Sequence, residues 1–281
     1  MAPNGPDTTA SAPALHVYRA TKCRIGFADF WTSRGVARMI AIRDMKAKYK
    51  QAALGPIWLL LAPAGMLAAV VIGYSSVTKT GTGGAPYVCF ALVGLTVWTY
   101  IQLSVTLGAQ AILGNSSLVR RSPIPRTALV SGSLIGNLPP VTIMFALTLG
   151  LTVALKGLPV QALLLPIMVI WLLFFTLCVA MLFASLAARF RDAVSVLPLV
   201  IQAGIFVSPV GYSLHGAPST IYTLLAINPV TGLIEAWRWA LLGIPDPKWT
   251  VVAIAGAWTV LVAILGWRVF SRLEVEFADV V

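Results

Sequence analysis

Two histidines, nine acidic residues and three cysteines are the whole supply of acid–base, nucleophilic and metal-binding side chains in this 281-residue chain. A hydrolase or transferase needs a nucleophile beside a base, paired carboxylates or a cluster of metal ligands. His16 stands in the N-terminal stretch, and Asp246 is held in a Pro-Asp-Pro turn. Cys23, Cys89 and Cys178 fall in the N-terminal region and in two apolar stretches, where they read as small buried hydrophobes. His215 and Glu235 are the one pair that a membrane enzyme could use. No HExxH, CxxC or GxxxxGK[ST] occurs, so the chain lacks the usual zinc helix and the usual phosphate loop. The expectation is therefore no catalytic residue, no metal site and no cofactor bound by this chain.

The cations inform through their placement. Six stretches, 51–78, 80–119, 127–155, 157–188, 193–234 and 249–267, contain no Asp, Glu, Lys or Arg. Each can hold the roughly 20 apolar residues that cross a hydrocarbon core as a helix. With 58% hydrophobic and 10% charged residues, the chain could not hide its apolar surface as a soluble domain. Residues 1–50 hold nine Lys and Arg, and the connections that follow alternate between poor and rich. Placing the N-terminus inside puts sixteen basic residues on the cytoplasmic side and four outside. That bias predicts a multi-pass protein with both termini cytoplasmic. The net charge of +11 is then a topology signal and a contact for membrane lipids rather than a nucleic-acid footprint.

The expected fold is all-α and membrane-embedded, with six spans at about 57–77, 87–107, 128–155, 160–187, 195–212 and 250–270. Residues 1–23 read as a disordered cytoplasmic tail with no cleavable signal peptide, and 273–281 as a second tail. Residues 24–50 read as an interfacial amphipathic helix, with Met39, Ile42, Met45 and Tyr49 recurring at helical spacing beside Arg43, Lys46 and Lys50. Pro139 and Pro140, after Asn137, must interrupt the third span. Residues 219–242 are apolar but cut by Asn228-Pro229 into pieces too short to cross, so two short re-entrant helices are expected before the last span. A seventh span there is the competing reading; it would bury Glu235 and Arg238 and invert the end of the chain. Proton or sodium relays place ionisable groups at midplane. These spans hold none, so the driving energy is expected from a separate ATPase subunit.

Several runs resemble the polysaccharide-exporting ABC-2 permeases. They are Tyr49-Lys50-Gln51 followed by Leu54-Gly55-Pro56-Ile57-Trp58 and Pro63; Pro86-Tyr87 through Gly94 to Trp98; and Asn115-Ser116-Ser117-Leu118-Val119-Arg120-Arg121 with Pro125-Arg126. Arg189-Phe190-Arg191-Asp192 with Pro198, Ser208-Pro209-Val210-Gly211-Tyr212, Asn228-Pro229 with Trp237-Arg238, and the tail from Phe270 to Asp279 complete the resemblance over roughly 38–281.

The resemblance implies an ABC-2 transmembrane domain over 51–272, working as a homodimer with two ATPase subunits that carry ATP-Mg. The exported substrate would be lipid-linked polysaccharide, across a bacterial inner membrane. It also implies a coupling role for Asn115, Ser116, Leu118, Arg120, Arg121, Pro125 and Arg126 in loop 108–126, and for Arg189, Arg191 and Asp192 at a second corner. Asn228, Pro229, Glu235, Trp237 and Arg238 would belong to an outer gate. Aromatic rings pack on sugar C–H faces, so Trp98, Tyr100, Phe174, Phe175, Phe206 and Tyr212 are the expected lining of the substrate path. Two alternatives stand beside this reading: an ABC-2 permease for a small amphiphile such as a drug or haem, and a membrane enzyme acting on lipid-linked sugars through His215 and Glu235.

Overall fold

In hydrocarbon every backbone N–H and C=O must be satisfied within its own segment, so long charge-free sequence has the helix as its stable form. The computed structural model describes residues 31–49, 57–75, 82–121, 124–190, 192–214, 218–244 and 247–273, and the regular elements among them are all helical. In chain order these are α1 (Arg34–Tyr49), α2 (Trp58–Ser75), α3 (Tyr87–Gln110), α4 (Ser116–Arg121), α5 (Arg126–Gly136), α6 (Leu138–Leu155), α7 (Leu165–Arg189), α8 (Ala193–Val207), α9 (Ser219–Ile227), α10 (Pro229–Leu242) and α11 (Trp249–Leu273). Single 3-10 turns precede α4 and α7. The expected tails 1–23 and 274–281 lie outside the described residues, as do His16, Cys23, Arg191, His215 and Asp246.

Among the described residues, four segments are long and apolar enough to cross a membrane: Tyr87–Gln110, Arg126–Leu155, Val160–Arg189 and Trp249–Leu273. They coincide with the second, third, fourth and sixth expected spans. α2 and α8 are also apolar, at 18 and 15 residues. The expected fifth span, 195–212, is shorter than the sequence suggested, because α8 stops at Val207. Pro209 has no N–H to give, and its ring drives Ser208 out of the helical region, to φ −107° and ψ 138°. Residues 208–212 therefore form an irregular turn at the end of α8. The break expected in the third span is present: Asn137 joins α5 to α6, and the two prolines fall in the first turn of α6, where a missing N–H is harmless.

α3 is the hub, packed against α2, α5, α6, α7, α8 and α10. Phe90, Leu92, Leu95, Trp98, Phe175, Leu233 and Trp237 are buried around it. Where lipid tails are as apolar as leucine, helices associate through close fit and interhelical hydrogen bonds rather than hydrophobic expulsion. Some buried hydroxyls bond only within their own helix, and others reach a neighbouring one. Thr96, Thr148, Thr176 and Thr259 each donate to the carbonyl four residues back, and Thr96 and Thr148 meet across α3 and α6 at 3.1 Å. Trp171 Nε1 donates to Thr259 Oγ1 at 2.9 Å, tying α7 to α11.

α1 lies along α5 through Ala37, Ile40 and Ala41, all buried. The fit is close: a Cβ on Gly132 of α5 would stand 2.9 Å from the Ala37 carbonyl oxygen. The stripe read from the sequence points elsewhere, since Met39 and Ile42 are exposed. α1 thus has two apolar faces, a small-residue face against the protein and a bulky one turned outward.

Candidate functional site

Two of the residues assigned to an outer gate, Glu235 and Arg238, form a buried ion pair. Arg238 of α10 is 1% exposed. Its Nη1 donates to Glu235 Oε1 at 3.1 Å and to the Tyr212 carbonyl at 3.4 Å, Nη2 to the Val210 carbonyl at 2.7 Å, and Nε to the Phe90 carbonyl at 3.4 Å. The guanidinium also lies 3.4 Å from the centroid of the Phe90 ring. Gly94, one turn along α3, makes this approach possible, because a Cβ there would sit 2.6 Å from the Val210 oxygen. Tyr87 Oη donates to the Gly211 carbonyl at 2.8 Å. Asn228 Oδ1 accepts from the Val230 N–H and so caps α10, while its Nδ2 donates to Ser208 Oγ at 2.9 Å. The irregular turn 208–212 is therefore held by three side chains: Tyr87 of α3, Arg238 of α10 and Asn228, the residue that caps α10. Trp237 packs edge-on to Phe145, with ring centroids 5.6 Å apart.

Trp237 and Tyr100, assigned to different roles, line one cavity of about 90 Å³ together with Thr96, Phe145 and Leu172. The other expected path residues are dispersed. Trp98 and Phe175 are buried in the core, Tyr212 is half-buried, and Phe174 and Phe206 stand on the outer surface, 47% and 70% exposed.

A second cluster forms where α3 ends, about 24 Å along the helix from Gly94 at 1.5 Å per residue. Arg43 of α1 donates to Asn115 Oδ1 at 2.7 Å and pairs with Asp44 at 2.8 Å. Asn115 Nδ2 in turn donates to the Ala111 carbonyl. Lys48 donates to Asn137 Oδ1 at 2.9 Å, reaching the junction of α5 and α6. Partial burial lowers the pKa of the Lys48 ammonium from the ordinary lysine value, and the Asp44 carboxylate opposes that shift. Between these residues lies an open cleft of about 300 Å³.

Of the remaining coupling residues, Ser116 and Leu118 stand on the short α4 and Pro125 leads into α5, which begins at Arg126. Arg120 and Arg121 end α4, and their side chains lie outside the described residues. Arg189 and Asp192 flank the α7–α8 corner, both exposed, with the Arg189 guanidinium 5.9 Å from the Phe190 ring centroid. Sequence reasoning missed Arg43 and Lys48 as partners of Asn115 and Asn137. Arg43 is one of nine cations in its region, and nothing in the spacing distinguishes it from the others.

Residues 36–242 match the ABC-2 type transporter family, and the chain belongs to that family. It is accordingly a multi-pass membrane component of a transporter and not an enzyme. Among its relatives, it is 27% identical over 256 residues to the O-antigen export system permease protein RfbA of Myxococcus xanthus, covering 89% of this chain and 97% of that protein. It is 23% identical over 251 residues to the RfbA of Klebsiella pneumoniae, covering 86% and 93%. The polysialic acid transport protein KpsM of Escherichia coli is 20% identical over 215 residues, covering 76% and 83%.

Proposed function

We propose that this chain is the permease subunit of an ATP-driven exporter of lipid-linked cell-surface polysaccharide, acting as a homodimer with two ATPase subunits in a bacterial inner membrane. The observation that carries the reading is the fate of buried charge. Among the described residues, Glu235 and Arg238 are the charged side chains that are buried, and each is occupied by the other or by main-chain carbonyls. Among the described residues, no buried charged group is left free to carry a proton or bind a coupling ion. The energy must then arrive through the loops, and the names of the relatives supply the substrate class. In this reading six helices span the membrane with both termini cytoplasmic. Loop 108–126 receives the ATPase, and α9 and α10 dip back from the outer side as the gate. ATP-Mg is bound by the partner.

The test is co-purification with a candidate ABC ATPase subunit and measurement of ATP hydrolysis in lipid. A stable complex whose hydrolysis depends on this chain, and which Arg120→Ala with Arg121→Ala uncouples, supports the reading. A chain that purifies alone and leaves hydrolysis unchanged sinks it.

A further inference from the structure

The cleft where α1 crosses the end of α3 has no part in packing and is chemically specific. Its polar lining is Arg43, Asp44, Lys48, Gln110, Asn115 and Ser133. We propose that this cleft binds the phosphate or diphosphate headgroup of a lipid, with the carrier lipid of the exported glycan as its physiological occupant.

Two cations on successive turns of α1 face one opening, and phosphate oxygens accept charge-assisted hydrogen bonds from both kinds of cation. Asp44 engages Nε and Nη2 of Arg43, which sets the plane of the guanidinium while half of the side chain remains exposed. Gln110, Asn115 and Ser133 supply neutral polar groups around it. Beyond Lys48, the Asn137 amide nitrogen is buried without an acceptor among the described residues. The surroundings suit a lipid rather than a soluble anion. Met39 and Ile42, within a turn of Arg43, are exposed apolar side chains. Basic pockets between membrane helices at the interface are where anionic headgroups lodge. Occupancy has a mechanical consequence as well. A diphosphate competes with Asn115 for Arg43 and with Asn137 for Lys48, loosening the bonds that tie α1 to the loop after α3 and to the α5–α6 junction.

The identity of the occupant rests on the export reading; the site itself does not, and the experiment keeps the two apart by omitting the ATPase. The full-length chain in detergent is titrated with a polyprenyl diphosphate, with phosphatidylcholine as the neutral control. Saturable binding of the diphosphate, weakened at least tenfold in Arg43→Gln/Lys48→Gln, is the expected result. The charge-keeping variant Arg43→Lys/Lys48→Arg should restore it, which separates lost charge from lost fold. Inorganic diphosphate is the competing arm. Displacement at similar concentrations supports the site and assigns recognition to the anion; weak displacement supports it and assigns a share to the lipid chain. Undiminished lipid binding in the Gln variant overturns the proposal.

Discussion

Arg238 Nη2 and the Val210 carbonyl oxygen, 28 residues apart in the chain, are joined by a 2.7 Å hydrogen bond. The turn that Val210 occupies follows Pro209, cannot continue the α8 ladder, and leaves its carbonyls in apolar surroundings. A guanidinium offers five donors in a rigid fork and can serve several carbonyls at once. Arg238 thus substitutes for the helical hydrogen bonds that the turn gave up.

Removing one member of a buried pair leaves the other uncompensated, at about 3–5 kcal/mol. Arg238→Met should therefore cost several kcal/mol and lower the unfolding temperature in detergent steeply. Glu235→Gln keeps an acceptor oxygen for Nη1 but removes the counter-charge, and should cost less than Arg238→Met, which also takes the donor from three carbonyls. The reverse ranking would show that the carboxylate, not the guanidinium, organises the turn.

Asn228 holds two jobs in one side chain, and two substitutions separate them. Asn228→Asp retains the oxygen that caps α10 but loses the amide donated to Ser208. Asn228→Ala loses both, adding about 1 kcal/mol for the lost cap. Thermal unfolding of the two variants should place Asp between wild type and Ala; equal values would mean that the cap contributes nothing.

If the Arg43–Asn115 bond transmits motion between α1 and the coupling loop, Arg43→Ala and Asn115→Ala should lower ATP-dependent export to similar extents, and the double variant should be little worse than either. The cycle should return a coupling of about 0.5–1 kcal/mol. Additive losses would assign the two residues separate roles.

The expected path aromatics divide by burial. Trp98→Ala removes a ring that lies against Gly204 and should destabilise by about 3 kcal/mol. Phe206→Ala, on the surface, should leave unfolding within about 0.5 kcal/mol of wild type. A fall in export with Phe206→Ala at unchanged stability would place that ring on the glycan's route, whereas unchanged export would leave it facing lipid.

Much of the architecture was legible because membranes make charge so costly. The alternation of cations and charge-free stretches marked the spans, and Pro139-Pro140 marked the break at Asn137, since proline cannot donate into a ladder. The end of α8 was less visible. Residues 208–212 are apolar enough to read as span, and Ser208-Pro209 alone signalled that the helix stops. The Arg238 cluster could be named from Asn228-Pro229 and Trp237-Arg238, but the carbonyls that Arg238 serves lie in distant sequence. The cleft was illegible for a different reason. Its members come from α1, α3, α5 and the turn before α4, and only the packing of Ala37 and Ile40 on Gly132 brings them together.

The clamp also bears on how the chain is made. A helix that carries an arginine is expensive to leave in hydrocarbon by itself, so α10 cannot settle in its final place before the carbonyls of Phe90, Val210 and Tyr212 are there to receive it. Biogenesis then has a direction: α3 and the turn after α8 form the socket, α10 is delivered into it, and α11, packed along α10, closes the assembly last. Ribosome-stalled chains bearing cysteines at Tyr87 and Gly211, which already meet across α3 and the turn, should test this order with a bifunctional cross-linker. Cross-linking between α3 and the turn should already be complete before Arg238 is synthesised, and a cross-link that rises only once α10 has emerged would show that the arginine builds its own socket.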